Sequence, residues 1–306
     1  MSEPQLGFGL PVSGSWATPA NLVTIARRAE ELGYHSVWAF QRLLHPAEGD
    51  WGPMYRSVQD PIVSLAYLAA VTERVRLGFA VVNAPFYSPI VLAKQLSTLD
   101  QVCGGRLDAG LGLGWAEQEF AAVGVDQARR GARTEEFVQC LKAIWTQDVV
   151  DFQGEFYRVP PARVEPKPVQ RPHPPLLLGG GAERALRRVG RIADGWISAS
   201  RHDLHGIAGD IAVMKQAAEQ AGRDPEALRF IVRGVLDLTE DAGPERRPLH
   251  GTVQQIRQDI VTLGEQGVHE VFLDLNFVPT VGSPAADPQA SMSYAERVLT
   301  SFAPAG

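Results

Sequence analysis

The chain of 306 residues is 45% hydrophobic and 21% charged, a composition typical of a globular protein with a substantial core. Its net charge of −6 gives no electrostatic reason to expect nucleic acid or an anionic membrane as a partner. No stretch approaches the ~20 consecutive apolar residues that a membrane span requires, and the N-terminus lacks the features of a signal peptide. Cys103 and Cys140 form no metal-ligand or redox motif, so we expect two buried thiols in a cytoplasmic protein.

In the first half of the chain, short apolar runs alternate with amphipathic stretches that have helical spacing. The predicted strands are Leu6–Leu10, Ser36–Phe40, Val75–Val82 and Arg106–Leu111. The helices that follow them are predicted over Pro19–Leu32, Pro61–Val71, Pro89–Val102 and Gly131–Trp145. Thr18 and Asp60 each precede a proline, which is typical of an N-cap before the first helical residue. Asp100 and Arg106 flank the turn into the fourth strand, and we expect their side chains to pair.

The pattern changes around residues 148–175, which we interpret as an irregular, proline-rich insertion with a short hairpin around Gly154. Alternation then resumes with predicted strands at Leu176–Leu178, Gly195–Ser198, Arg229–Leu236 and Val268–Leu273. The last helices are predicted over Glu183–Val189, Leu204–Ala221, Val253–Gln266 and Ser293–Phe302. Eight β/α units favour an α/β fold of the TIM (β/α)8-barrel type over a doubly wound open sheet. We expect residues 1–306 to form a single domain.

Two glycine-rich stretches follow predicted strands, where barrels of this type build their active sites. Gly112 and Gly114, just before Trp115, would let the backbone lie close to a flat ligand. Gly179–Gly181 and Ala182 precede a predicted helix, so their N–H groups would suit a phosphate, and Arg184 would add a positive charge. An ordinary tight turn is the alternative interpretation of both stretches.

Polar side chains follow the second and third predicted strands. Gln41, Arg42 and His45 are candidate catalytic residues, and an imidazole can exchange a proton near neutral pH. Asn83 ends the third strand, where small and β-branched neighbours would accommodate a planar ring. Solvated loop residues or simple core packing are the alternatives. His202 and His205 have a spacing that could bind a metal, but no third ligand accompanies them, and we expect no metal site.

Taken jointly, several short stretches resemble the luciferase-like monooxygenase superfamily, and especially its coenzyme F420-dependent branch. The order and spacing match from about Leu6 to Trp196. The stretches that carry the resemblance are residues 29–34 with Val37 and Trp38, residues 72–78, Leu99 with Asp100, residues 104–107, residues 110–115 with Glu119, residues 179–181, and residues 193–196.

The resemblance implies roles for individual residues. Residues after the second strand face the reactive part of the ring, and Gln41-Arg42 replaces the usual Asp-His pair, so that Arg42 or His45 would have to take over proton relay. A non-prolyl cis peptide between Ala80 and Val81 would support the ring. By the same resemblance, Gly114 and Gln118 match cofactor contacts, and Gly180, Gly181 and Ala182 match the phosphate-binding turn. The other expected cofactor contacts, which follow from their places at the strand ends, are Phe8, Asn83, Gly112, Trp115, Gly179 and Arg184. Trp115 stands where the sugar-phosphate branch has an acidic residue.

The function predicted from this resemblance is hydride transfer between C5 of coenzyme F420 and a small organic substrate. The first alternative is an FMN-dependent monooxygenase that uses reduced flavin and oxygen with a partner reductase, and the second is a non-catalytic flavin-binding protein. Relatives are commonly dimers, so we expect a homodimer. The loops Trp51–Gln59 and Thr239–Pro248 are expected to set substrate choice.

Overall fold

The computed structural model describes residues 3–49, 51–240, 243 and 245–304. Residues 241, 242 and 244 of the predicted substrate loop Thr239–Pro248 lie outside this part of the chain. The strands are β1 (Gln5–Gly9), β2 (Ser36–Ala39), β3 (Arg76–Phe79), β4 (Val82–Asn83), β5 (Leu107–Gly112), β6 (Val150–Gln153), β7 (Arg158–Ala162), β8 (Leu176–Gly179), β9 (Gly195–Ile197), β10 (Arg229–Val235), β11 (Asp237–Leu238), β12 (His250–Gly251) and β13 (Glu270–Asp274).

The α-helices lie between these strands for most of the chain. They are α1 (Pro19–Glu31), α2 (Pro61–Ala69), α3 (Pro89–Val102), α4 (Glu117–Val123), α5 (Arg130–Thr146), α6 (Glu183–Ile192), α7 (Ile207–Gln220), α8 (Val253–Glu265), α9 (Pro279–Gly282) and α10 (Pro288–Ser301). The predicted caps are confirmed, because the Thr18 side chain accepts a hydrogen bond from the Asn21 N–H and the Asp60 side chain accepts one from the Val63 N–H. Within the residues described, no helix is both long and apolar enough to cross a membrane.

A closed parallel barrel forms the centre of the molecule, which confirms the predicted TIM fold. Its strands follow the order β3-β2-β1-β13-β10-β9-β8-β5, and β3 also pairs with β5 to complete the ring. The single strand predicted over Val75–Val82 is divided in two, because the Ala80–Val81 peptide bond is cis and separates β3 from β4. Strand β4 continues along β5, with Val82 opposite Leu111.

The barrel interior is filled in layers by alternate residues of each strand, since successive side chains point to opposite faces. The middle layer is a compact apolar cluster of Trp38, Leu177, Ile197, Ile231 and Phe272, with Ala80 and Val81 beside it. A larger apolar core lies between the outer faces of the strands and the surrounding helices. The apolar middle layer therefore separates two polar ends of the barrel.

Three further predictions can be compared with the structure. The hairpin around Gly154 is confirmed as the antiparallel pair β6–β7. Helix α4 was not predicted, and α10 begins at Pro288, capped by Asp287, rather than at Ser293. The predicted pairing of Asp100 with Arg106 is wrong: Asp100 accepts N–H groups from the backbone of residues 169 and 170, whereas Arg106 donates to carbonyl groups of the α2–β3 loop.

Candidate functional site

A cavity of about 720 Å³ opens at the carboxyl ends of the barrel strands. It runs from the loops after β2 and β4, past the end of β5, to the turn after β8 and the first residues of α5 and α6. The predicted site residues that line it are Gln41, Arg42, Ala80, Val81, Asn83, Gly112, Gly114, Trp115, Gly179, Gly180, Gly181, Ala182 and Arg184. The structure thus brings together stretches that lie more than a hundred residues apart in the chain.

One wall of the cavity is built around the cis peptide between Ala80 and Val81. Gly112 on β5 faces this wall closely, because a Cβ atom there would lie 2.4 Å from Val81 Cγ2 and 2.8 Å from Asn83 Oδ1. Gln41 fixes the end of β4: its Oε1 accepts from the Asn83 N–H at 2.9 Å, and its Nε2 donates to the Tyr87 hydroxyl at 2.6 Å. Both hydrogen-bonding ends of the buried Gln41 amide thus hold the wall in place.

The far end of the cavity is the triple-glycine turn, Gly179–Gly181, which leads into α6. Gly180 has φ +133°, a conformation that side-chain-bearing residues rarely adopt, and its carbonyl accepts from Trp196 Nε1 at 2.7 Å. In the described part of the chain, no side chain caps the first N–H groups of α5 or α6. Exposed helix N-termini with nearby glycines form a favourable anion site.

Two arginines on the turn's side of the cavity could bind an anion. Arg130, at the start of α5, and Arg184, in the first turn of α6, line the cavity, and neither forms an ion pair with any residue that the structure describes. The neighbouring Arg188 and Arg187 are already paired, with Glu135 and Glu183 respectively. Arg188 also lines the cavity, so near this turn the guanidiniums left without an ion pair among the described residues are those of Arg130 and Arg184.

At the other end of the cavity, the Arg42 side chain is buried beneath three aromatic rings. Its guanidinium carbon lies 4.8 Å, 5.3 Å and 5.7 Å from the ring centroids of Trp115, Tyr55 and Trp51. Glu119 on α4 lies behind it, with Oε2 3.4 Å from Arg42 Nη1 and Oε1 accepting from the Leu43 N–H at 2.7 Å. Burial lowers the pKa of Arg42, and the Glu119 carboxylate opposes that shift. Neither Arg42 Nη1 nor Glu119 Oε2 has a hydrogen-bond partner among the described residues.

A second buried arginine, Arg233 on β10, lies across the cavity and was not predicted as a site residue. It donates from Nη2 to the Ala80 carbonyl of the cis peptide, and its Nε lies 3.3 Å from Asp274 Oδ2. Phe277 lies closest of the three rings around its guanidinium, at 5.1 Å. Burial lowers the pKa of Arg233, partly offset by Asp274. Arg233 thus connects the cavity wall to the last strand of the barrel.

Three residues predicted for the site lie away from the cavity. Phe8 is fully buried on β1 and packs edge-on against Tyr34, because its side chain points to the helix layer rather than to the barrel mouth. His45 lies behind Trp51, and its Nδ1 contacts the Pro46 carbonyl. Gln118 is exposed on α4, a helix that was not predicted and that turns Glu119 inward in its place. The structure therefore does not place these three predicted site residues in the cavity lining.

Tyr55, Glu119, Arg130 and Arg233 are polar residues at the site that sequence reasoning missed as site residues. Arg233 had a readable signal, because it falls on the same face of the predicted strand Arg229–Leu236 as Ile231 and so points into the barrel. Tyr55 lay within the loop Trp51–Gln59 that was expected to set substrate choice, but nothing singled it out. His202 hydrogen-bonds to Asp210, and no group of three candidate metal ligands occurs in the described residues.

A closed parallel barrel with a glycine-lined cavity at the carboxyl ends of its strands defines a TIM barrel whose candidate site lies where enzymes of this fold carry theirs. The family model described as luciferase-like monooxygenase matches residues 6–242. The chain belongs to the luciferase-like monooxygenase family, whose members are oxidoreductases and monooxygenases.

Relatives of the chain include an uncharacterised protein and an enzyme whose description names a cofactor. An uncharacterised protein of Mycobacterium tuberculosis is 35% identical over 245 residues, which cover 76% of this chain and 85% of the relative. An FMNH2-dependent dimethylsulfone monooxygenase of Pseudomonas putida is 34% identical over 227 residues, which cover 72% of this chain and 60% of the relative.

Solved structures show the same fold at lower sequence identity. The monooxygenase RslO1 from Streptomyces bottropensis has a TM-score of 0.78 and 24% identity, with 96% of this chain and 97% of that chain covered. An F420-dependent secondary alcohol dehydrogenase in complex with an F420-acetone adduct has a TM-score of 0.79 and 18% identity, with 98% and 99% covered. The sequence relatives thus include an FMNH2-dependent enzyme, and the structures with the same fold include an F420-dependent one.

Proposed function

We propose that the protein is a coenzyme F420-dependent oxidoreductase that transfers hydride between the deazaflavin C5 and a small organic substrate. The observation that carries the proposal is the lining of the cavity, which joins the closely packed wall of Ala80, Val81 and Gly112 to an uncapped helix start at the triple-glycine turn. A flat ring with an anionic tail matches both ends. The preference for F420 over FMN rests on the run Gly110–Trp115 and on the spacing that follows it.

The residues of the cavity fit such a cofactor. The ring would lie against Ala80 and Val81, with Gly112 leaving room because any side chain there would collide with Val81. The phosphate of the tail would take the free N–H groups after Gly180 and the charges of Arg184 and Arg130. When bound, the cofactor supplies the hydride chemistry.

The chain's own residues would orient the reactants and exclude water from them. Gln41 holds the wall against which the ring lies, and the aromatic group of Tyr55, Trp115 and Phe277 provides an apolar surface for a substrate above it. Arg42 and Arg233 stand on two sides of this space and would stabilise negative charge that develops on the substrate.

A second candidate function is an FMN-dependent monooxygenase, supplied with reduced flavin by a partner reductase. The observation that favours it is the 34% identity to an enzyme described as an FMNH2-dependent dimethylsulfone monooxygenase. A non-catalytic flavin-binding protein is a third candidate, and we expect a homodimer in each case. All of these use the same cavity, so cofactor choice is the property to measure.

Titration of the purified protein with F420 and with FMN, followed by quenching of tryptophan fluorescence, tests the proposal. Trp115 lines the cavity, and Trp51 lies against it at 4.9 Å between ring centroids, so both report on ligand bound there. We expect F420 to bind at least about tenfold more tightly than FMN. Tighter binding of FMN, with oxygen consumption when reduced FMN is added, would reject F420 in favour of the monooxygenase. Tight binding with no turnover of either reduced cofactor would support the binding protein.

A further inference from the structure

The cavity lining contains very few groups that can exchange a proton with a substrate. Within the described residues, it includes no carboxylate, imidazole, thiol or lysine side chain. Its arginines remain charged at any pH a protein tolerates and so cannot act as acids. The hydroxyl of Ser198 accepts a hydrogen bond from the Arg233 backbone N–H, and serine hydroxyls do not release protons near neutral pH. The phenol of Tyr55 is left as the one group whose acidity suits proton transfer.

Tyr55 is placed where such a group would act. It ends the short 3-10 helix Pro53–Tyr55 in the loop after β2, on the same side of the cavity as Arg42. Its ring packs edge-on against Phe277 at 5.8 Å, Trp115 at 6.3 Å and Phe40 at 6.4 Å, which fixes its direction. Its hydroxyl forms no hydrogen bond with any other residue that the structure describes, although it is only partly exposed.

The two buried arginines of the site lie near this phenol in different ways. The Arg42 guanidinium carbon lies 5.3 Å from the Tyr55 ring centroid, whereas Arg233 is connected to Tyr55 through Phe277, whose ring both side chains contact. Since each guanidinium already has a carboxylate behind it, Glu119 or Asp274, the two pairs add polarity without a large net charge. A substrate oxygen beside Tyr55 would therefore lie between two cationic groups that stabilise negative charge.

We propose that Tyr55 is a catalytic residue that gives a proton to the oxygen of a carbonyl substrate as that carbonyl is reduced, an inference that rests on the proposed hydride-transfer function. The carbonyl carbon gains a hydride, with its electron pair, from the reduced deazaflavin. The π bond of the carbonyl breaks, a C–H bond forms at carbon, and the phenol proton moves to oxygen to give an alcohol. The C5–H bond of the deazaflavin breaks as it gives up the hydride, and its N–H proton is then released to water. The phenolate takes a proton back from water, so that no net charge is produced. In the reverse direction the phenolate accepts the alcohol proton.

The experiment compares the wild type with Tyr55→Phe and with Tyr67→Phe, a control on the exposed face of α2. Binding of F420 is measured first. All three proteins should bind it with affinities within about twofold, because the phenol faces the substrate and not the cofactor wall. If the wild type does not bind F420, the proposed function is rejected. That outcome says nothing about the role of Tyr55, so the two failures can be told apart.

The second measurement uses a complex that cannot react, the protein with oxidised F420 and either cyclohexanone or acetophenone. The infrared carbonyl stretch of the bound ketone should move to lower frequency in the wild type and in Tyr67→Phe, because a phenol donates to it, and should not move in Tyr55→Phe. Ketones that do not bind the cofactor-loaded protein, or that show the same stretch in all three proteins, would overturn the assignment to Tyr55.

The third measurement is reduction of the bound ketone by reduced F420. General acid catalysis contributes about 100-fold or more, so kcat of Tyr55→Phe should fall by at least that factor while KM changes by less than about threefold. An unchanged kcat, or a change confined to KM, would show that Tyr55 only shapes the cavity.

Discussion

Each end of the barrel interior contains an arginine–carboxylate ion pair, but the two pairs differ in how fully their hydrogen bonds are satisfied. Strands β10 and β13 lie side by side, and each places a charged residue at both ends of the barrel interior. Arg229 and Glu270 approach to 3.3 Å at the amino end, and Arg233 and Asp274 approach to 3.3 Å at the carboxyl end. The apolar layer of Ile231 and Phe272 separates the two pairs.

At the amino end, the charged groups satisfy one another. Asp108 forms ion pairs with Arg76 and Arg229, each with an N···O distance of 2.8 Å. Glu270 accepts hydrogen bonds from the Ser36 hydroxyl and from Trp38 Nε1. Burial alone would raise the pKa of Asp108, but the two arginines together lower it. These paired groups form a network that connects β3, β5, β10 and β13 at this end of the barrel.

At the carboxyl end, the corresponding pair is incomplete. Asp274 Oδ1 is taken by the backbone and side chain of Asn276, and in the part of the chain described Arg233 Nε has no hydrogen-bond partner. A buried charged group with unused donors is costly unless something else binds it. Burial alone therefore does not make an arginine inside a barrel a candidate functional residue; a buried donor that lacks a hydrogen-bond partner does.

The largest expected effect comes from removing the two arginines in turn. Arg229→Met leaves Asp108 and Glu270 buried without their shared partner, and we expect the free energy of unfolding to fall by about 3–5 kcal/mol. Arg233→Met leaves Asp274 hydrogen-bonded to Asn276, and we expect a loss of only about 1–2 kcal/mol. Urea unfolding of both variants measures the difference. Equal losses would remove the distinction between the two ends.

The pH dependence of stability sharpens the comparison through Glu270. Burial raises the pKa of Glu270 to about 6 from 4.5, against the lowering effect of its hydrogen bond from Ser36. A carboxyl whose pKa is raised by folding stabilises the fold while protonated and loses that contribution as pH rises through the folded value. Between pH 4 and pH 7 the unfolding free energy of the wild type should therefore fall by ~2 kcal/mol relative to Glu270→Gln. A difference that rises over this range would contradict the assignment.

A smaller effect is expected at the aromatic end of the cavity, where Glu119 holds Arg42. A double-mutant cycle with Glu119→Gln and Arg42→Met should give a coupling of ~1 kcal/mol, because the two side chains are buried and 3.4 Å apart. Glu117→Gln, on the exposed side of the same helix, is the control and should show no coupling with Arg42→Met. If Glu119→Gln also shows no coupling with Arg42→Met, the aromatic rings alone hold Arg42 in place.

Most of the barrel could be predicted from its sequence because each strand and helix has its own local signal. The capped starts of α1 and α2 and the apolar strands needed no knowledge of distant contacts. Helix α4 gave no such signal, because it has only seven residues and no side-chain cap within the described structure. Its position depends on a distant contact, the hydrogen bond that Glu119 accepts from the Leu43 N–H.

The candidate site was predictable where backbone geometry dictates the residue, and not where side chains meet across the barrel. Glycines such as Gly112 and Gly180 are required by close approach and by a positive φ, so sequence points to them. The placement of Arg233 against the Ala80 carbonyl depends on the pairing of distant strands. The position of His45 also depends on the fold, which places its ring beside Trp51 and outside the cavity lining.

The central claim is that the triple-glycine turn and Arg184 bind the anionic tail of the cofactor. The most direct measurement is the affinity of F420, and of the same deazaflavin without its phosphodiester tail, for the wild type, Arg184→Met and the control Arg187→Met. We predict that only F420 binds Arg184→Met more weakly, by about tenfold, because one charge-assisted hydrogen bond is lost. Equal losses for both ligands, or none for either, would contradict this account.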